Sequence, residues 1–270
     1  MAFGQNFLHR RETARKIVRV ADPAPGTLCV DLGAGGGIIT EACLAEEHRV
    51  RAVEVDDRLA AGLRRKFCAE NRVEVVHTDL LAARLPAEPY VITANPPFNQ
   101  STMLVRRWIL TDEFVAAAIV VQKEFGRKLA GSYGATKISL ALAPFMSVSV
   151  PVTLHPSDFQ PQPRVPIGIL QVNRHARFDL DWSDRRLYWL FINYLFERSH
   201  PAVADALRPL RLRKLPVRLR NATVRNIESP EAVELFDQVR ARGPAAIDAL
   251  AAFDRNLPAK RRLNLGPNPV

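Results

Sequence analysis

Residues 27–47 read TLCVDLGAGGGIITEACLAEE, and the order of these residues decides the fold. Thr27–Asp31 is a short run dominated by apolar side chains, with the length of a buried strand. Gly33-Ala34-Gly35-Gly36-Gly37 follows, and a helix is expected from Ile38 to about Glu47. Strand, glycine turn, helix is the context that a GxGxG pattern needs before it means anything. Glycine reaches φ > 0 and lets the backbone approach a ligand, while the first N–H groups of the helix lack intrahelical partners. A lone glycine turn would carry little weight, so the flanking chain decides what this one does.

Downstream, Arg51–Val55 (RAVEV) reads as a second strand with Glu54 near its end. A carboxylate there can accept both hydroxyl protons of a ribose. Asp56 and Asp57 suit the opening of the next helix better. Val73–His77 (VEVVH) is a third strand, followed by Thr78-Asp79-Leu80. Asp79 either bonds an adenine amino group, with Leu80 packed on the ring, or caps a short following helix. Tyr90–Ala94 (YVITA) is a fourth strand and delivers Asn95-Pro96-Pro97-Phe98 to its C-terminal end, where ligand chemistry collects in an open α/β sheet.

Alone, that tetrapeptide is either a proline-rich turn or a device for presenting a flat base with an exocyclic amine. The Asn95 amide oxygen and a carbonyl left free by the prolines can accept the two amine hydrogens. The prolines stiffen the turn and remove competing donors, and Phe98 offers a ring for stacking. Four successive strand ends carrying such groups favour the second reading. The loop lacks GxxxxGK[ST], so a nucleoside without phosphates, or a dinucleotide, is expected rather than ATP.

Upstream, Phe3–Leu8 (FGQNFL) sets Gln5 and Asn6 between aromatics, as a pocket wall or a packed arm, and Glu12–Val20 has helical periodicity. Beyond the proline turn, Ser101–Leu110 reads as a helix and Phe114–Val121 as a fifth strand. Gln122–Leu129 is a further helix, and Ala143–Leu154 is one or two antiparallel strands. Pro156–Pro166 is a stiff loop carrying Phe159 and Arg164, and Ile167–Val172 closes the sheet. Phe159 is either a core ring or a second stacking ring. After a polar linker at Arg177–Asp184, four amphipathic helices are expected at Arg185–Glu197, Pro201–Leu210, Pro230–Arg242 and Ala245–Phe253. The expected fold class is α/β, with domains at 1–175 and 176–270.

Composition bounds the function. At 270 residues and 47% hydrophobic, the chain can bury a large core, and no apolar run approaches the length of a membrane span. The first residues lack an apolar signal core. Cys29, Cys43 and Cys68 are widely spaced and the six histidines scattered, so neither a disulfide framework nor a metal site is suggested. A cytoplasmic protein is the expectation. The net charge of +10 favours a polyanionic partner, although an Arg-rich genome would leave a similar bias. Leu207–Arg220 holds Arg208, Arg211, Arg213, Lys214, Arg218 and Arg220 with no acid, and Lys260-Arg261-Arg262 follows in the tail. An ordinary solvated face mixes signs, so phosphate contact is expected there.

In this order and spacing FGQNFL, DLGAGGG, EVD, TDLL, NPPF, QKEFGRKLAG and FQPQPRV resemble the rRNA adenine dimethyltransferases. Among these the Erm-type macrolide-resistance methyltransferases look most similar. The resemblance runs from about Phe3 to Val172, with a basic helical region after it. It implies a Rossmann-like methyltransferase sheet with a small α-helical C-terminal domain that binds RNA. It further implies S-adenosylmethionine as cofactor and, as target, an adenine of 23S rRNA in the peptidyl-transferase loop, reached before ribosome assembly is complete. Macrolide-lincosamide-streptogramin B resistance would follow, and a monomer is the expectation.

By position, Gln5, Asn6, Leu8, Gly33 and Gly35 would hold the methionine part of the cofactor, Glu54 its ribose, and Asp79 and Leu80 its adenine. Asn95, which would also border the cofactor, Pro96 and Phe98 would present the target base. Phe159, Arg164, Arg208, Arg211, Arg213, Lys214 and Arg218 would meet the RNA. The chain departs from the family's pattern at Asp31, where glutamate is common, and at Gly36, often lysine. Pro97 stands where an aliphatic residue is usual, which leaves open whether one or two methyls are transferred. Two rivals stand beside this reading: a 16S rRNA adenine dimethyltransferase of small-subunit biogenesis, and a non-catalytic RNA-binding assembly factor of the same fold. A DNA adenine methyltransferase would need a recognition insertion, for which the Gly33-to-Phe98 spacing leaves no room.

Overall fold

Strands buried on both faces need helices to cover them, and the chain supplies these in alternation. The computed structural model describes residues 6–198, 202–212 and 215–258. Gln5, Arg213, Lys214 and the Lys260-Arg261-Arg262 tail, all named above, lie outside the described residues. The chain divides into two units, the first from Met1–Gly126 with Val148–Arg174 and the second from Arg127–Ser147 with His175–Val270.

In the first unit, β1 (Phe7–Leu8) and α1 (Arg11–Ala21) precede β2 (Leu28–Leu32), α2 (Ile38–Ala45), β3 (Arg49–Glu54), α3 (Asp57–Lys66) and β4 (Val73–His77). Then come β5 (Tyr90–Ala94), α4 (Ser101–Trp108) and β6 (Phe114–Gln122). The short helix α5 (Lys123–Leu129) and, after α6 (Lys137–Leu142), the strand β7 (Met146–Leu154) cross between the units. β8 (Phe159–Gln160) and β9 (Ile167–Arg174) complete the set.

Seven strands form one sheet in the order β4-β3-β2-β5-β6-β9-β7. The pairs β2–β3, β3–β4, β2–β5 and β5–β6 are parallel, and β9 runs antiparallel to β6. The chain winds outward from β2 to β4, then returns to place β5 on the other side of β2. That reversal is a topological switch point, and ligand clefts form at the C-terminal strand ends there. β2 and β5 are fully buried along their length, which is why both read as unbroken apolar runs. α1 packs on α2 and crosses β5, β6 and β9, and its Ala14, Ile17 and Val18 are buried in the core. On the edge strand β4, Glu74 faces Arg51 in register and accepts its Nε–H at 2.7 Å.

The second unit is helical, with α7 (Arg185–Glu197), α8 (Val203–Leu207), α9 (Ser229–Ala241) and α10 (Pro244–Asn256) beside α6. Its core is aromatic: Tyr188 lies edge-on to Phe145 and Phe236, with Phe191 tilted against both Tyr188 and Phe236. Two differences from the sequence expectation stand out. Residues 127–147 fall in the second unit rather than before a boundary at 175, because α6 packs on α7 and Phe145 joins the aromatic core. The stretch expected as one or two strands over 143–154 is one strand, β7, and ahead of it stands a helix the sequence reading lacked, α6, held by a Thr136–Ser139 capping box.

Candidate functional site

Four loops converge on a cleft at the β2/β5 switch point: residues 6–8, 33–36, Glu54 and 95–98, with Ile38 and Ile39 behind them. Its empty volume, open mouth included, is about 580 Å³. Eight of the described candidates meet there, namely Asn6, Leu8, Gly33, Gly35, Glu54, Asn95, Pro96 and Phe98.

The loop after β2 is shaped by glycine. Gly33 has φ 78° and a Cβ there would lie 3.7 Å from Pro96 Cα, so the glycine loop and the proline turn touch backbone to backbone. Gly35 has φ 55°, and a Cβ would meet the Phe7 ring at 3.4 Å. Phe7, absent from the sequence candidates, is an exposed cleft wall whose only signal was its alternation with buried Leu8. At Gly36, Lys66 of α3 donates to the backbone carbonyl at 2.8 Å and pairs with Glu41 at 3.0 Å.

Glu54 is buried at the end of β3. Its Oε2 accepts the Gly35 N–H at 2.8 Å, and Oε1 accepts those of Val55 and Asp56, both at 2.9 Å. The carboxylate therefore ties the glycine loop to β3, and Oε2 keeps a lone pair for a further donor. Asp56 takes the other task foreseen for it and caps α3 through the N–H groups of Arg58 and Leu59.

Asn95 is half-buried, and its Nδ2 donates to the Asn6 carbonyl at 2.9 Å. With that group committed, Oδ1 is the amide's remaining acceptor. Among the described residues no hydrogen bond to the Pro96 carbonyl is recorded, while the Pro97 and Phe98 carbonyls accept from Gln100 and Ser101. Phe98 is half-buried at the cleft wall.

Other candidates sit differently. Asp79 Oδ1 accepts the Leu81 N–H at 2.6 Å and its carbonyl accepts from Ala82 and Ala83, so it closes a turn; no helix follows before β5 for it to cap. Leu80 is buried and its carbonyl accepts Trp108 Nε1–H at 3.0 Å; neither residue lines the cleft. Phe159 is completely buried in the core with Leu8 and Ala14, so it is a core ring and not a stacking surface for a base. Arg164 and Arg211 are exposed. Arg208 pairs with Asp205 at 2.8 Å, and Arg218 pairs with Glu231. The basic stretch has no acid of its own, but the fold brings acids to it from outside, which removes the premise that all its cations are free for phosphate.

Among the described residues, the only charged side chain lining the cleft is that of Glu54, in a chain of net charge +10. No described lysine, arginine or histidine lines it, so a phosphorylated nucleotide would find no counter-charge among them. A ligand with hydroxyls, a positive charge and no phosphate matches the donor set.

Behind the loop, Asp31 is fully buried; Thr40 Oγ1 donates to its Oδ2 at 2.8 Å, and Oδ1 has no partner. Burial pushes its carboxyl up to about 7, against the hydrogen bonds from Thr40, with the Glu54 charge adding to the rise. Below the ordinary value of 3.8 the group is protonated in folded and unfolded chains alike. Between 3.8 and about 7 only the unfolded chain ionises, so this group's contribution to stability falls as pH rises and is flat above. Urea unfolding of Asp31→Asn and the parent chain should therefore diverge in the variant's favour by roughly 2–4 kcal/mol from pH 4 to 7.5. A pH-independent difference would show that the carboxyl is already ionised in the fold.

A mostly parallel α/β sheet with a cleft at its switch point is the architecture of Rossmann-like methyltransferases. A family model described as ribosomal RNA adenine dimethylase matches residues 1–230. The chain belongs to that family. It is 34% identical over 176 residues to an rRNA adenine N-6-methyltransferase of Streptomyces fradiae, a match covering 64% of this chain and 55% of that protein. It thus spans little more than half the length of that relative. It is also 34% identical over 181 residues to ribosomal RNA small subunit methyltransferase A of Geobacter metallireducens, covering 63% of this chain and 66% of the relative. The crystal structure of the 23S rRNA methyltransferase ErmE superposes with a TM-score of 0.72 at 27% identity, covering 86% of this chain and 99% of ErmE.

Proposed function

We propose that this protein transfers a methyl group from S-adenosylmethionine to the exocyclic N6 amine of an adenine in 23S rRNA, in the peptidyl-transferase loop. Resistance to macrolide, lincosamide and streptogramin B antibiotics would follow from that mark. The observation that carries the reading is the Asn95 amide, whose Nδ2 is committed to the Asn6 carbonyl and whose Oδ1 is left to accept.

The cofactor, when bound, supplies an electrophilic methyl on a sulfonium; its fit rests on the cation-free cleft and the glycine cradle described above. The chain's own residues must improve a poor nucleophile, because the adenine amine's lone pair is delocalised into the ring. Asn95 Oδ1 and the Pro96 carbonyl accept the two amine hydrogens, favour a pyramidal nitrogen and localise the lone pair. The same acceptors stabilise the positive charge that grows on nitrogen. Holding the reactants in line contributes much of the remaining acceleration. The alkylated nitrogen then releases its proton to water, so no histidine base is required. A stacked base cannot enter such a cleft, and Phe98 offers a ring to a base turned out of the RNA. The cofactor adenine would lie near the turn of Asp79 and Leu80, with Asp79 Oδ2 as the carboxylate oxygen not used in closing that turn.

The first unit would be the catalytic domain and the helical second unit the RNA-holding one, with Arg211 and Arg220 among its exposed cations. A second reading, a 16S adenine dimethyltransferase, is favoured by the equal identity to the Geobacter small-subunit enzyme. Mass-spectrometric mapping of both rRNAs from cells expressing the protein separates them. A methylated adenine in the 23S peptidyl-transferase loop is expected. A mark in 16S rRNA instead would transfer the reading to the small subunit. No mark on either RNA, with S-adenosylhomocysteine still bound, would leave the non-catalytic assembly factor.

A further inference from the structure

The amide of Asn95 is oriented by a backbone carbonyl on an arm, so whatever holds that arm helps to set the amide. The arm, residues 6–10, has one two-residue strand to fix it: β1 pairs antiparallel with β8, Phe7 opposite Gln160 and Leu8 opposite Phe159. Two apolar side chains anchor its inner side, Leu8 and Phe159, both in the same core cluster. The polar anchor is Asp158, the residue immediately before β8.

Asp158 makes three contacts with the arm and the helix it leads into. Its backbone carbonyl accepts the His9 N–H at 3.1 Å. Its Oδ2 accepts the Thr13 hydroxyl at 3.0 Å, and Oδ1 lies 3.2 Å from Arg10 Nε. Thr13 is itself buried in the first turn of α1, and the Asp158 side chain keeps only 12% of its surface exposed. α1 has no side-chain cap from its own N-cap residue, Arg10, so the remote carboxylate also meets the positive end of that helix. A buried carboxylate with two partners is costly to displace, whereas the partly exposed Arg10 contact alone is worth little.

We propose that Asp158 is a positioning residue for the proposed transfer: it holds the 6–10 arm so that the Asn6 carbonyl fixes the orientation of the Asn95 amide. The route is Asp158 to His9, Arg10 and Thr13, along the arm to Asn6, and across 2.9 Å to Asn95 Nδ2. If the arm drifts, the amide loses its donor partner and can rotate, presenting NH₂ where an acceptor is needed. The inference rests on the reading of Asn95 given above.

The test is a double-mutant cycle with a second readout that needs no activity. Asp158→Ala should lower kcat about 10–100-fold, the scale of a small misplacement of reacting groups, with KM for RNA changed less than about twofold. In an Asn95→Ala background the same substitution should change the residual rate less than about twofold, since the group it positions is gone. Equal fold losses in both backgrounds, or no loss in the parent, would overturn the proposal. Amide hydrogen exchange of the unliganded protein should quicken in a peptide spanning residues 6–13 and stay unchanged over β2–β5; an unchanged arm would also overturn it. Should Asp158→Ala fail to fold, Thr13→Val, which removes one donor at nearly the same volume, is read in the same cycle. A parent enzyme whose rate ignores Asn95→Ala would refute the function reading and not the arm's anchorage, which the exchange experiment reports separately.

Discussion

Asn95→Ala is expected to lower methyl transfer by about 10²–10³-fold, the cost of removing one preorganised polar partner from the site of developing charge. Calorimetric affinity for S-adenosylhomocysteine should change little, because the glycine loop and Glu54 hold their geometry through their own bonds, Gly35 N–H to Oε2 at 2.8 Å among them. The loss should appear in kcat with KM nearly unchanged, since the interaction strengthens only as charge grows on the amine. Asn95→Asp is the informative partner. It keeps an acceptor oxygen but cannot donate to the Asn6 carbonyl, so it sets two oxygens against each other across what is a 2.9 Å hydrogen bond. It should be nearly as slow as the alanine variant. Cofactor affinity lost in step with activity would make Asn95 a scaffold residue and remove the central claim about the amine.

The contrast between legible and hidden parts follows from what each residue depends on. Val73–His77, Tyr90–Ala94 and Arg185–Glu197 have the same bounds in sequence and structure, because a local apolar pattern determines them, unbroken in buried Tyr90–Ala94 and periodic in the helix. The place of Glu54 at the cleft was readable because Asp56 and Asp57 already satisfied the alternative role of helix opening. The arm's anchorage was not readable. Thr13 and Asp158 lie 145 residues apart, and no local pattern predicts such a pair. α6 has six residues, fewer than two turns, and serine stands at the position where a glutamate would have signalled its capping box. The pairing of Arg218 with Glu231 was hidden for the same reason as the arm: charge balance inside a window says nothing about acids that folding brings to it. Asp79 shows a third case, in which one carboxylate oxygen closes a turn and the adenine reading concerns the other.

Trp108→Ala should be the most damaging single change to stability, costing about 3–5 kcal/mol of the roughly 5–15 kcal/mol available to a domain. Trp108 is fully buried at the end of α4, the helix that begins three residues after Phe98. Its ring stands edge-on to Tyr90 at 5.9 Å, and its Nε1–H donates to the Leu80 carbonyl at 3.0 Å. Its own carbonyl accepts the Tyr90 hydroxyl at 2.6 Å. One side chain thus joins the turn after β4, the start of β5 and the helix behind the proline turn. Alanine would leave a cavity and an unpaired buried carbonyl together, and the two costs add. Trp108→Phe separates them, since it fills most of the volume and loses the indole donor; about 1–3 kcal/mol is expected from that loss. Urea denaturation read by circular dichroism measures both. If the phenylalanine variant matched the parent while alanine did not, packing alone would anchor the turn. If alanine cost less than about 1 kcal/mol, the link between the proline turn and the β4 end would lie elsewhere, and the two halves of the proposed cofactor cleft would not share this support.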